Sequence, residues 1–127
     1  LALSCGREEN PAWARDSTAP AAISDLRVAA GTDSTVLLRW TAPGDDGAEG
    51  SASDYDLRYG EIRVASSNWV DAWQAVDEPI PAEAGSPESL LIEGLPAAAK
   101  LYFAVRASDE VPNWSALSNL DSLILAP

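Results

Sequence analysis

The chain has 127 residues and a net charge of −12, and it contains no His and a single Cys. This length suits one domain, and the lack of His excludes a Ser-His-Asp or Cys-His catalytic centre as well as a His-based zinc site. The excess of acids disfavours nucleic acid and anionic membrane surfaces as partners, and no run of about 18 apolar residues is present to span a bilayer.

Residues 1–20 differ in pattern from the rest of the chain. Leu1-Ala2-Leu3 is briefly apolar, and the stretch that follows, up to Pro20, sustains neither a period of 2 nor one of 3.6. We therefore expect an extended N-terminal arm over 1–20, followed by one domain over 21–127.

Rows of large apolar residues at alternate positions follow the arm. Alternate side chains of a strand face the same side, so each row predicts a half-exposed strand with one buried face. The rows are Val36-Leu38-Trp40, Tyr55-Leu57-Tyr59, Leu90-Ile92 and Leu101-Phe103-Val105-Ala107. Further strand signals begin at Ile23 and lie over 119–125. Turns rich in Gly, Pro and Asp separate the rows, which predicts two antiparallel sheets packed face to face.

The stretch 61–87 is the least regular. Within it, residues 67–73 predict a helical turn with Ser67 as N-cap and with Trp69 and Trp73 on one face. The two prolines at 79 and 81 then favour an extended segment.

The order and spacing of these elements resemble a fibronectin type III domain, in particular the variant common in bacterial secreted proteins. The resemblance spans 20–127 and is carried by Trp40, Tyr55-x-Leu57-x-Tyr59, Ile92-Glu93-Gly94-Leu95-Pro96, Val105-Arg106-Ala107-Ser108-Asp109, Asn113-Trp114-Ser115 and Ser118-Asn119. Asn68-Trp69 and Ala84-Gly85-Ser86 resemble the long connection of the bacterial variant.

The resemblance implies an all-β fold: a seven-stranded antiparallel fibronectin type III-like (Ig-like) β-sandwich with an extended N-terminal arm. Its expected core includes Trp40, Tyr55, Leu57, Tyr59, Leu95, Leu101, Phe103 and Val105. One position departs from the family, which usually carries Tyr where this chain has Leu101. The hydroxyl bond that would pin this corner is therefore lost, and the neighbouring Tyr102 is expected to point outward.

Acidic residues offer one candidate metal site. Asp45, Asp46 and Asp54 could supply oxygen ligands to Ca²⁺, although Asp with Gly is also ordinary turn chemistry. We expect no other cofactor. Carboxylate pairs can hydrolyse glycosides across a cleft, but the apolar rows are used for the core and nothing predicts a cleft, so no enzyme is expected.

Four aromatic residues, Trp69, Trp73, Tyr102 and Trp114, are candidates for binding. They form either an exposed platform for a sugar or a protein partner, or covers over the edges of the core. The second interpretation is favoured, because aromatic residues next to irregular segments usually cover a core edge.

Cys5 allows three interpretations. Leu3-Ser4-Cys5-Gly6 is similar to the end of a bacterial lipoprotein signal, where the Cys is lipidated, and an odd Cys can also form an intermolecular disulfide or stay free. A membrane is expected as a partner only if Cys5 is lipidated.

These observations predict a secreted, cell-surface structural module without enzymatic activity. It would assemble with itself, for example as a filament subunit, or dock on another surface protein through its arm and sheet edges, with Leu1-Ala2-Leu3 or Leu123-Ile124-Leu125 as the added strand. The alternatives are a glycan- or protein-binding accessory domain of a larger secreted hydrolase, with polysaccharide as the partner, and a lipid-anchored surface protein.

Overall fold

The structure is a computed structural model that describes residues 19–44 and 50–127. Most of the predicted arm, Cys5 and the loop acids Asp45 and Asp46 lie outside these ranges.

The described residues form seven strands in two antiparallel sheets. The strands are β1 (Arg27–Gly31), β2 (Val36–Thr41), β3 (Asp54–Gly60), β4 (Trp73–Gln74), β5 (Pro87–Ile92), β6 (Lys100–Ser108) and β7 (Asp121–Ile124). One sheet has the order β1-β2-β5 and the other has the order β4-β3-β6-β7. The expected seven-stranded antiparallel sandwich is confirmed.

The alternating apolar rows of both sheets face each other across the core. Val36, Leu38 and Trp40 of β2 are buried, and so are the alternate residues of β6 from Leu101 to Ala107. On β3, Leu57 pairs with Val105 and is fully buried, whereas Tyr59 is half-buried against the same core. Each large apolar side chain buried in this way contributes about 1.5–3 kcal/mol to the free energy of folding.

A polar connection crosses this apolar core. The hydroxyl of Tyr55, on β3, donates a hydrogen bond to Oε2 of Glu88, on β5, at 2.9 Å. The same carboxylate oxygen accepts the backbone N–H of Ala82 at 2.8 Å. Burial raises the pKa of the Tyr55 hydroxyl well above its usual range, and the carboxylate of Glu88 adds to this effect. The bond therefore joins the two sheets and the long connection between β4 and β5.

The corner that lacks the family's tyrosine is held by backbone bonds. Leu101 is fully buried, and the N–H of Leu95 donates to the carbonyl of Ser34 at 2.9 Å. The N–H of Ala98 donates to the carbonyl of Ala126 at 3.0 Å. Tyr102 lies on the outer face of β6, opposite in parity to Leu101.

The helical turn predicted over 67–73 is wrong in its bounds and in its cap. A 3-10 helix covers Ser66–Asp71 with Ala65 as N-cap, and Trp73 lies beyond it on β4. The side chain of Asn68 explains the difference: its Oδ1 accepts the N–H of Ala65 at 2.7 Å, and its Nδ2 donates to the carbonyl of Arg63 at 3.0 Å. These bonds start the helix before Ser67, and the extended backbone of Ala72 ends it, so Trp69 and Trp73 belong to different elements.

Two serines form hydrogen bonds with the backbone groups along the edge of β6, over the residues that do not pair with β7. Ser115 donates its N–H to the carbonyl of Ala107 at 2.8 Å and accepts the N–H of Ala107 with its Oγ at 3.0 Å. Ser118 makes the same two contacts with Val105, at 3.0 and 2.9 Å. Because β7 pairs only with 100–103, these side chains replace a missing stretch of ladder.

Candidate functional site

Trp69 lies on the outer face of the four-stranded sheet, where it packs with Val64 and Ala104. It is 6% exposed, and its ring is covered by cations: the Cζ of Arg106 lies 4.7 Å and the Cζ of Arg58 5.5 Å from its ring centroid. Such cation-π contacts stabilise the packing by about 0.5–2 kcal/mol each. Trp69 therefore offers little free ring surface to a ligand.

Asp56 anchors Trp69 and Arg58 to the sheet. Its Oδ1 accepts a bond from Nε of Arg58 at 3.0 Å, and its Oδ2 accepts bonds from Nη2 of Arg58 at 3.3 Å and from the indole N–H of Trp69 at 3.2 Å. Arg58 also donates to the backbone carbonyl of Trp69 at 3.1 Å. These bonds hold the 3-10 helix against β3, and so they position the chain that leads into β4.

Trp114 and Tyr102 also carry cations on their rings. Arg106, which covers Trp69, lies 5.2 Å from the centroid of Trp114, so its guanidinium contacts two indoles. The Cζ of Arg63 lies 5.7 Å and the Nζ of Lys100 5.2 Å from the centroid of Tyr102. The structure thus brings Trp69, Trp114 and Tyr102 to one sheet face, as parts of an aromatic and cationic layer.

Trp73 lies apart from this layer, at the edge of the four-stranded sheet. It is 49% exposed, and its ring meets Tyr59 in an edge-to-face arrangement with centroids 5.6 Å apart. Beside it is a groove of about 370 Å³, which we call the Trp73 groove. Its lining consists of Gly60, Glu61, Ile62, Val64, Asn68, Asp71, Ala72 and Trp73. Ile62 is 75% exposed, so two large apolar side chains border the groove.

The backbone of β4 is also available for contact. Ala75 donates its N–H to the carbonyl of Leu57 at 2.9 Å, and Gln74 is the Cα partner of Arg58. In an antiparallel ladder, residues alternate between bonding inward and facing outward. The N–H and C=O of Gln74 therefore point to the sheet edge that no other described strand covers, next to the Trp73 groove.

The charge around the groove has one sign. Glu61 and Asp71 line it, and both are exposed; no Lys or Arg is among its lining residues. Arg63, the nearest cation in sequence, lies over the Tyr102 ring. The groove is therefore apolar inside and negative at its rim.

Asp54, the described member of the predicted calcium set, is exposed at the start of β3. Within 19–44 and 50–127, no three acidic or cysteine side chains come together in a way that could hold a metal ion. The predicted Ca²⁺ site thus depends on Asp45 and Asp46, outside those ranges, and stays a prediction.

Among residues 19–44 and 50–127, no helix is both long and apolar enough to cross a membrane.

Sequence reasoning identified Trp73 but missed the groove beside it. Ile62, Val64 and Asp71 were assigned no role, because the stretch 61–71 shows no strand or helix period. A two-residue strand such as β4 carries no alternating row, so the sequence contained no signal for an open edge here.

No protein-family model matches the chain. Two curated relatives are "Calcium-activated chloride channel regulator 1" from Equus caballus, 35% identical over 119 residues, and its counterpart from Sus scrofa, 35% identical over 116 residues. Each match covers 85% of this chain, and the chain spans only 13% of the length of either relative.

Solved structures match over most of the chain. A fibronectin type III domain of human fibronectin type III domain containing protein 3 aligns with a TM-score of 0.59 and 16% identity, covering 87% of this chain and 89% of that one. The FN1–FN3 domains of chicken CNTN1 align with a TM-score of 0.61 and 17% identity, covering 85% of this chain and 33% of that one. Domains A168–A170 of titin align with a TM-score of 0.59 and 17% identity, covering 85% of this chain and 32% of that one. The chain has the fibronectin type III fold.

Proposed function

We propose that this chain is a non-enzymatic interaction module of an extracellular, cell-surface protein, and that it binds an extended segment of a protein partner along β4. One observation carries the proposal: an open sheet edge and an apolar groove lie side by side. Gln74 presents an outward N–H and C=O, and Trp73 and Ile62 present exposed apolar surface next to them.

Strand addition uses this combination of features. Backbone bonds to the open edge provide affinity, and a pocket that accepts an alternate side chain of the added strand provides specificity. Gln74 would pair with the partner backbone, while an apolar side chain of the partner would enter the Trp73 groove. The two-residue length of β4 keeps this edge short, which limits unspecific pairing.

The partner at this edge is a different protein rather than a second copy. Two copies paired through β4 would bring Glu61 and Asp71 of one chain close to the same acids of the other, and each chain carries a net charge of −12. Like charges brought together in this way oppose association. Self-assembly into filaments through the N-terminal arm, and attachment through Cys5 by lipid or disulfide, remain separate proposals.

The curated relatives support a modular role. This chain aligns with 13% of the length of a calcium-activated chloride channel regulator, so a comparable segment is one part of a much longer protein there. An accessory domain that positions a longer protein against a partner fits this arrangement. The assignment to a bacterial secreted variant stays a prediction, and the proposal does not depend on it.

The experiment is a selection from displayed random peptides of about ten residues, the length of a long strand, against the whole chain. Bound peptides are then titrated against Trp73→Ala, Gln74→Pro and Gln74→Ala. Proline removes the outward N–H, which an edge strand tolerates, and Gln74→Ala removes the side chain alone, so the pair separates backbone pairing from side-chain contact.

We expect binding to weaken at least tenfold with Trp73→Ala and with Gln74→Pro, and to persist with Gln74→Ala. If selected peptides bind all three variants as well as the wild type, the proposal is wrong. A concentration-dependent dimer in sedimentation velocity that Trp73→Ala abolishes would identify a second copy as the occupant instead.

A glycan is the second candidate ligand. The half-exposed ring of Trp73 lies in the same groove as the amide of Asn68 and the carboxylate of Asp71, and a sugar can stack on an aromatic ring while its hydroxyls bond to such groups. Calorimetry against a panel of neutral glycans, with Trp73→Ala as control, tests this role. Absence of heat with every glycan would reject it.

A further inference from the structure

We infer that the segment bound along β4 carries Lys or Arg beside a large apolar side chain. This inference rests on the proposed function and adds the chemistry of the partner. The acidic rim of the Trp73 groove carries this inference, whereas the proposed function depends on the groove and the sheet edge themselves.

Acidic side chains surround the proposed contact, whereas its floor is apolar. Glu61 and Asp71 lie on the groove lining, and each directly precedes an apolar lining residue, Ile62 and Ala72 respectively. Asp77, also exposed, lies three residues beyond Gln74, so a third acid follows the open edge. A partner cation placed near any of them would gain a charge-assisted bond at the rim of the interface.

The cations of the described sheet do not neutralise these acids. Arg58 bonds to Asp56 and to the backbone of Trp69, and Arg63 and Lys100 lie over Tyr102 on the outer face. The two ion pairs seen among the described residues, Arg58 with Asp56 and Arg27 with Asp25, both lie outside the groove lining. The negative rim is thus available to a partner.

The long-range electrostatic field of the chain also favours a cationic partner. With a net charge of −12, the protein repels acidic segments before contact and attracts basic ones, which raises the association rate at low salt. An apolar anchor alone would gain nothing from this field. The bound segment is therefore expected to show both a strong salt dependence and an apolar anchor.

The peptides selected against the whole chain test this inference. Their binding is compared between the wild type, the variant Glu61→Gln/Asp71→Asn, and the matched control Asp33→Asn/Glu93→Gln. The control removes the same two charges from exposed positions at the end of the other sheet, in the turn before β2 and directly after β5.

Peptides that depend on Trp73 should be enriched in Lys and Arg next to an apolar residue. Their Kd should rise about threefold or more with Glu61→Gln/Asp71→Asn, and change less with the control, in line with the modest strength of exposed ion pairs. Trp73-dependent peptides that lack cations, or that bind both double variants equally, would overturn the inference and leave the proposed function intact. If no selected peptide depends on Trp73, the proposed function itself fails.

Discussion

The hydroxyl of Tyr55 reaches across the sandwich and donates a buried hydrogen bond to Glu88 on the facing sheet, at 2.9 Å. Removing the hydroxyl with Tyr55→Phe leaves a buried carboxylate short of one donor, because only the N–H of Ala82 still bonds to that oxygen. We expect the free energy of unfolding to fall by about 1–3 kcal/mol in chemical denaturation. Tyr102→Phe, which removes a hydroxyl without a bond among the described residues, should change it by less than about 0.5 kcal/mol.

The dependence of stability on alkaline pH tests the same hydrogen bond, because the Tyr55 hydroxyl loses its proton at different pH values in the folded and unfolded states. Burial raises the pKa of Tyr55 above the ordinary tyrosine value of about 10, so the folded state retains a proton that the unfolded state releases. Stability from this group is fully present below pH 10 and declines as pH rises further. Unfolding free energies measured from pH 8 to 11.5 should therefore decline less in Tyr55→Phe than in the wild type. A residual decline should remain, because burial also raises the pKa of Tyr59.

The two tryptophans of the 61–74 stretch should respond differently to substitution. Trp69 is buried under two guanidiniums, so Trp69→Ala should cost about 3–5 kcal/mol of stability. Trp73 is half-exposed and its ring meets Tyr59 edge to face, so Trp73→Ala should cost only about 1 kcal/mol. Thermal unfolding of both variants measures this contrast. Equal losses would show that Trp73 is a core residue, which would remove it as a binding residue.

The two serines beside β6 should stabilise the protein through the hydrogen bonds that they form with the edge of this strand. Ser115→Ala and Ser118→Ala each leave a buried N–H, of Ala107 or Val105, without its acceptor. Each substitution should lower stability by about 1–3 kcal/mol. Ser89→Ala, on the exposed face of β5, serves as the control and should have almost no effect. Wild-type stability in both serine variants would contradict the role assigned to these hydroxyls.

The ends of β1 and β7 approach closely at Gly31. A Cβ added there would overlap the Cδ2 of Leu123, so Gly31→Ala must displace that side chain. We expect a loss of about 1 kcal/mol, at the lower end of overpacking costs, because the displaced atom is the tip of a flexible side chain. In a Leu123→Ala background the same substitution should be neutral. A cost that persists there would assign the effect to the backbone rather than to this contact.

The sequence predicted the sandwich well, because the rows of β2, β3 and β6 repeat the two-residue period of half-buried strands and turn-rich segments separate them. Strand addition through sheet edges was also proposed from the sequence. The apolar residues of 1–3 and 123–125, however, point to those stretches as the added strands, and not to β4.

The site was less predictable, because its parts depend on contacts between distant or irregular segments. The sheet edge forms where Ala75 bonds to Leu57, and the extended backbone of Ala72 ends the 3-10 helix and leaves Trp73 outside it. Neither contact has a periodic signature. The arrangement of Arg106 between Trp69 and Trp114 is likewise a product of packing across the sheet, and no spacing along the chain indicates it.

Amide hydrogen exchange at Gln74, with and without a selected peptide, tests the binding role of β4 most directly. Its N–H faces the open edge in the free protein, whereas the N–H of the neighbouring Ala75 already bonds to Leu57. We predict that the bound peptide slows exchange at Gln74 at least tenfold, while Ala75, protected in both states, changes much less. Unchanged exchange at Gln74 under saturating peptide would contradict strand addition at this edge.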